Sequence, residues 1–309
     1  MDDLVIARLA TAQAGLVARR QLRALGCDRK RVRNQVAARR WAERSSTVVS
    51  TFTGPLSREA TMWLGALHAG ADCVVGGLSA LEVHGLRGWH RDDVTVLVDD
   101  EADVEPLPGL VFARTRRPLR RFRDRRSALP LARVEPAALL LAGYERSPRT
   151  AQGLLAATVQ QRLTTPTLLL TELAGMRPLR RAPLFRATLR DLEGGAQSLA
   201  EVDLLRVVRR FGLPRPRQQR RRRDSRGRLR FVDCEWVLAD GTVLALEVDG
   251  AFHMEVEHWE DDLARQRRLS GPGRVIVRCS ARELRDRPED VVADLQALGL
   301  PRRGGQRAS

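Results

Sequence analysis

Two segments with side chains alternating about a single turn limit how this chain can fold more than any other feature. Phe231–Leu238 and Thr242–Asp249 carry apolar residues at every second position, and Ala239-Asp240-Gly241 lies between them. A period of two marks strands with one buried face. Val232, Cys234, Trp236 and Leu238 share one face of the first strand; Thr242, Leu244, Leu246 and Val248 share one face of the second. A three-residue turn pairs position 238 with 242 and puts both sets on the same side, whereas a two-residue Asp240-Gly241 turn would oppose them. The same register sets Asp233 opposite Glu247 and gathers Asp233, Glu235, Glu247 and Asp249 on the other face. Like charges across a sheet repel, so a cation is expected to offset them, and carboxylate oxygens in this number suit Mg²⁺ or Mn²⁺. The alternative is a solvated sheet face with scattered acids.

The charge around this hairpin is uneven. The 309-residue chain has 54 Lys+Arg against 38 Asp+Glu, a net charge of +16, with Lys30 its only lysine. Residues 231–300 nevertheless hold 15 acids and 8 Arg, while residues 215–230 just before them hold nine Arg and one Asp. Arginines beside carboxylates suit phosphodiester cleavage: the cations hold the backbone, and the carboxylates hold a metal that activates water. Arg220, Arg221 and Arg222 are the expected backbone contacts of this region.

The sequence divides into segments 1–54, 55–195, 196–300 and a flexible tail, 301–309. In the first, helices are expected over Leu4–Ala10, over Val17–Leu25 with Gly26 as its C-cap, and from Asp28 as N-cap to about Ala38. A strand follows at Thr47–Phe52. This order suggests a winged helix-turn-helix, whose basic third helix and wing carry Arg29, Lys30, Arg31, Arg33, Arg39 and Arg40 toward DNA. A helical cap with a solvated basic face is the plainer reading. Segment 55–195 is mixed α and β, with helices at Arg58–Ala69, Leu78–His84, Ala137–Ala142, Thr150–Gln161 and Thr167–Leu173. Its strands are Val94–Val98 and Leu110–Ala113, and an exposed basic loop is expected at Arg114–Arg126. In segment 196–300, Ser198 caps a helix with Leu199, Val202, Leu205 and Val208 at helical spacing. The order beyond it is hairpin, helix at Trp259–Leu269, strand at Arg274–Arg278 and helix at Pro288–Leu298, with room for a short strand in the basic stretch.

Glu247-Val248-Asp249-Gly250-Ala251-Phe252-His253-Met254 resembles the Glu-x-Asp-Gly-x-x-His motif of a PD-(D/E)XK-like family related to very-short-patch-repair endonucleases. Asp262-x-x-Arg265-Gln266-x-x-Leu269 and Val275-Ile276-Val277-Arg278 are similar to its next two blocks. The N-terminal half resembles the winged-helix and middle region of AbiEi-type antitoxins. These resemblances imply a multidomain α/β protein: a winged helix-turn-helix, a mixed α/β middle region and a restriction-endonuclease-like α-βββ-α-β core. They imply metal ligation by Asp233, Glu247 and Glu201, the last from the preceding helix. Asp249 stands where the superfamily commonly has Lys, and His253 is then the expected proton-transfer group. Asp262, Arg265 and Gln266 would support the site, or simply the fold.

The expected function is metal-dependent cleavage of DNA targeted by the winged helix. The alternative is a non-catalytic antitoxin or transcriptional repressor with a degenerate nuclease fold, for which a cognate toxin is a further partner. RNA as substrate stays open. Cys27, Cys73, Cys234 and Cys279 are too scattered for a disulfide scaffold, no apolar run is long enough to span a membrane, and the acidic N-terminus is unlike a signal peptide, so a cytoplasmic setting is expected.

Overall fold

The computed structural model describes residues 2–194, 196, 198–224, 226–249, 271 and 273–302, with backbone alone for Asp2, Arg230 and Asp249. They form two compact units, Met1–Ala182 and Pro183–Ser309. Among the described residues there are twelve α-helices and three sheets. None of these helices is long and apolar enough to cross a membrane.

The first unit opens with α1 (Asp2–Ala12), β1 (Leu16–Ala18), α2 (Arg19–Ala24), α3 (Arg29–Ala37), β2 (Ala42–Glu43) and β3 (Val48–Ser50). The strands form an antiparallel sheet in the order β1-β3-β2. Ile6, Ala10, Val17, Leu22, Cys27, Val32 and Val49 make its core. Asp28 caps α3 by accepting the Arg31 N–H at 2.7 Å, as its place in the sequence suggests. Val17 corrects the expectation of one helix from Val17 to Leu25. Gly15 at φ +83° turns the chain, and Leu16–Ala18 pair with Val48–Ser50 before the helix begins at Arg19.

The rest of this unit sets α4 (Arg58–Ala69) against a second sheet, ordered β4 (Cys73–Val75), β5 (Val94–Asp99), β6 (Leu110–Thr115). The contact is close at Gly65, where a Cβ would lie 2.7 Å from Val96 Cγ2. Helices α5 (Gly77–Val83), α6 (Val134–Tyr144), α7 (Pro148–Gln160) and α8 (Pro166–Gly175) complete it. The basic stretch at 114–126 is not wholly a loop: it contains the end of β6 and a 3-10 turn at Leu119–Arg121, pinned by buried Leu119 and Phe122. Helix α4 packs on β1 and β3, and Arg20 donates to the Leu67 carbonyl at 2.8 Å. The segment expected at 1–54 and the part of segment 55–195 up to Ala182 therefore lie in one compact unit, and the rest of 55–195 lies in the other.

In the second unit, α9 (Ala182–Glu193) is tied to α10 (Leu199–Arg210) by Arg209, which grips Asp191 with two bonds of 2.6 and 2.8 Å. A four-stranded sheet follows: β7 (Arg217–Arg223), β8 (Leu229–Val237), β9 (Val243–Asp249) and β10 (Arg274–Ser280), in the spatial order β10-β9-β8-β7. β9 is antiparallel to β8 and parallel to β10. Short α11 (Glu283–Asp286) and α12 (Pro288–Ala297) join α10 over one face. The expected short strand in the basic stretch is thus seven residues long and, among the described residues, forms the sheet's edge.

Candidate functional site

The β8–β9 hairpin has the register set by its turn. Leu238 N–H donates to the Thr242 carbonyl at 2.8 Å, and Cys234 pairs with Leu246, Glu235 with Ala245 and Trp236 with Leu244. Cys234, Trp236, Leu244, Leu246 and Val248 pack with Ala200, Leu204, Val207 and Val208 of α10 in one core.

Val232 breaks the expected alternation. It packs with Ala245 and Ile276, which belong to the opposite face. The cause lies across the ladder. β7 pairs Gln218 with Cys234 and Arg220 with Val232, but the intervening Gln219 and Asp233 are not paired, and Gln219 has φ +48°. A left-handed residue inside a strand turns the side chains that follow it to the other face. Beyond this point Arg220 and Arg222 face Glu235, and Arg221 faces the other way, opposite Phe231.

The carboxylates singled out by the sequence lie along this irregularity, each with a protein partner. Glu201, buried in the first turn of α10, accepts from Gln219 Nε2 at 3.1 Å. Its own N–H is capped by Ser198 at 3.1 Å. Asp233 Oδ2 accepts the Val248 N–H at 3.0 Å. Glu247, also buried, pairs in register with Arg278, whose Nε lies 4.0 Å from Glu247 Oε2. The charges of Asp233 and Glu201 both act on Cys234. Burial first, and these charges next, push its thiol well above the usual range, so Cys234 stays protonated and is no nucleophile.

Glu235 has another role. It is 0% exposed and held by Arg222 through bonds of 2.9 and 2.5 Å, with Arg220 Nε at 3.8 Å. The hydrogen bond to Glu235 raises the pKa of Arg222 above its ordinary value, with burial opposing. Arg222, expected to hold a phosphodiester backbone, is thus engaged inside its own sheet. Sequence reasoning missed Gln219 and Arg278 as neighbours of the carboxylates. Arg278 had a signal, since it alternates with Ile276 on a strand; Gln219 had none.

Asp249 ends β9 opposite Ser280. His253, Asp262, Arg265 and Gln266 lie outside the described residues, as does the helix expected at 259–269. Among the described residues, no three His, Cys, Asp or Glu side chains form a group able to hold a metal ion. In the first unit, Arg29, Lys30 and Arg33 project from α3 into solvent, and Arg39 and Arg40 are exposed just past it. Arg31 instead forms an ion pair with Asp3.

No family model and no curated protein matches this chain. The functional reading therefore rests on its residues and their geometry.

Proposed function

We propose that the chain is a metal-dependent nuclease: it reads DNA with an N-terminal winged helix and cleaves phosphodiester bonds with a PD-(D/E)XK-like C-terminal module. The observation that supports this most is the pair of contacts, Glu201 with Gln219 and Asp233 with Val248, the latter next in sequence to Glu247, beside the arginine-rich strand β7. An all-oxygen donor set fits a hard divalent cation such as Mg²⁺ or Mn²⁺. Glu201, Asp233 and Glu247, which do not form a ligand group as they stand, would have to close around it, and it would supply an activated water and charge stabilisation for the leaving oxygen. Exposed arginines of β7 would hold the backbone. His253 is the protein's own group for moving a proton, since Asp249 replaces the customary Lys. For the N-terminal module, the order α1-β1-α2-α3-β2-β3 and the exposed basic face of α3 support the winged-helix reading.

A second reading, a non-cutting regulator that keeps the nuclease fold for binding and has a toxin as partner, is favoured by two ion pairs. Arg222 neutralises Glu235, and Arg278 faces Glu247. Incubating the full chain with plasmid, single-stranded DNA and RNA in Mg²⁺, Mn²⁺ or EDTA separates the two. Nicking or cutting that requires metal is expected. Salt-sensitive binding without cleavage on any substrate would favour the regulator.

DNA binding by α3 has its own test. Removing residues 1–52 would strip α4 of its packing, so side-chain replacement is cleaner. We expect Arg29→Ala/Lys30→Ala/Arg33→Ala to weaken duplex binding and to reduce the slope of log K against log[salt] by ~0.9 for each phosphate that is no longer neutralised. Fluorescence anisotropy across a salt series measures it, and an unchanged slope would remove α3 from the interface.

A further inference from the structure

We propose that the outer end of the β7–β8 ribbon is a stacking platform for an unpaired nucleobase, so that the C-terminal unit takes nucleic acid that is single-stranded or locally unpaired. This rests on the nucleic-acid part of the reading above and not on cleavage.

The switch of faces at Gln219 and Asp233 gives the ribbon two unlike sides. Beyond it, one face turns Arg220 and Arg222 toward buried Glu235. The other face sets Arg221 opposite Phe231 and Arg223 opposite Leu229. Phe231 is 49% exposed and Leu229 56%. Isolated exposed apolar residues are ordinary, but these two stand in a row on one strand face, in an arginine-rich stretch of the chain. The Arg221 guanidinium carbon lies 5.3 Å from the centre of the Phe231 ring. The turn beyond is well built: Asp224 Oδ1 accepts from the N–H groups of Arg226 and Arg228 at 2.9 Å each, and both side chains are exposed.

An aromatic ring under a guanidinium, flanked by further arginines, combines the two elements of single-strand recognition. The ring and guanidinium stack on a base, whatever its identity, and the flanking cations hold the backbone. Bases inside a duplex are already stacked on each other, so the platform selects one that is not. Phe231 is two residues from Asp233, roughly 7 Å along the strand. A base held there would bring its phosphates to the carboxylates.

The test uses the full chain in EDTA, where binding is read without cleavage. The probes are a single-stranded oligonucleotide carrying 2-aminopurine and the matching duplex. Binding should change the 2-aminopurine fluorescence of the single strand. Phe231→Ala should weaken single-strand binding by about 5- to 150-fold, equivalent to about 1–3 kcal/mol for one stacked base, and abolish the fluorescence change. Phe231→Trp should restore both, and duplex affinity should move by no more than about twofold, because no stack is removed there. Arg221→Gln, which leaves the ring in place, should give a smaller loss, and thermal melting checks that each variant folds. Salt-sensitive binding that Phe231→Ala leaves unchanged, or weakens equally for both probes, would overturn the platform but not nucleic-acid binding. No binding to either probe would overturn both.

Discussion

Arg222→Ala should unfold the C-terminal sheet locally and expose it to exchange. Glu235 has no solvent contact, and Arg222 is its bidentate partner. Taking away the guanidinium leaves a carboxylate buried, with Arg220 Nε at 3.8 Å as the nearest remaining cation among the described residues. Breaking a buried pair from one side costs roughly 3–5 kcal/mol. Because the Arg222 side chain keeps 28% exposure, water can partly replace it, so the low end is expected, about 3 kcal/mol. Hydrogen exchange at the β8 and β9 amides reads this locally, and protection there should fall by about a hundredfold. Replacing both partners, Arg222→Met with Glu235→Leu, should recover most of the loss, because a buried ion pair exchanged for apolar groups of similar size is often neutral. Protection unchanged in Arg222→Ala would mean that the pair contributes nothing to the sheet.

Asp233 offers a way to separate folding from chemistry. Its Oδ2 takes the Val248 N–H, just past Cys234–Leu246, where the paired register of β8 and β9 ends. Asp233→Asn keeps an oxygen for that bond and removes the charge. Stability should therefore stay close to wild type. Metal-dependent cleavage should fall by about a hundredfold or more, since metal-held charge stabilisation is worth several kcal/mol and each ~1.4 kcal/mol is a factor of ten. Asp233→Ala should lose the same activity and in addition about 1–3 kcal/mol of stability, because it leaves a buried N–H without its acceptor. Single-turnover cleavage with saturating Mn²⁺, beside urea unfolding, measures both. An Asn variant that cuts as fast as wild type would take Asp233 out of the metal site.

What can be read from the sequence follows from how tightly local chemistry fixes the backbone. The turn at 239–241 sets a register, so the pairing of Cys234 with Leu246 can be derived. Ser198 and Asp28 have side chains that satisfy helix N–H groups, so the starts of α10 and α3 are legible. β1 and β4 are not, because three residues are too few to show a period of two. Helix α9 has no such mark; its bonds to α10, from Arg209 to Asp191 and from Arg206 to Thr188, tie it to the second unit. The largest miss is Gln219. A glutamine carries no preference for φ above zero, so nothing signals the turn of β7 that sends Val232 to the opposite face. Glu235 escapes for a related reason: its sheet face can be derived, but its pairing with Arg222 depends on that switch.

The arginines of β7 have a second consequence, for the life of the protein among other extended chains. Among the described residues, β7 is the outermost strand of its sheet and runs for seven residues, pairing on one side with β8. An edge of this length is a template on which a foreign strand can grow, and crowded positive charge is one of the ways natural sheets refuse such growth. Arg220, Arg221 and Arg223 put exposed cations on both faces of this edge, so a second copy approaching along it meets its own charge. Neutralising these residues would leave the strand open to aggregation.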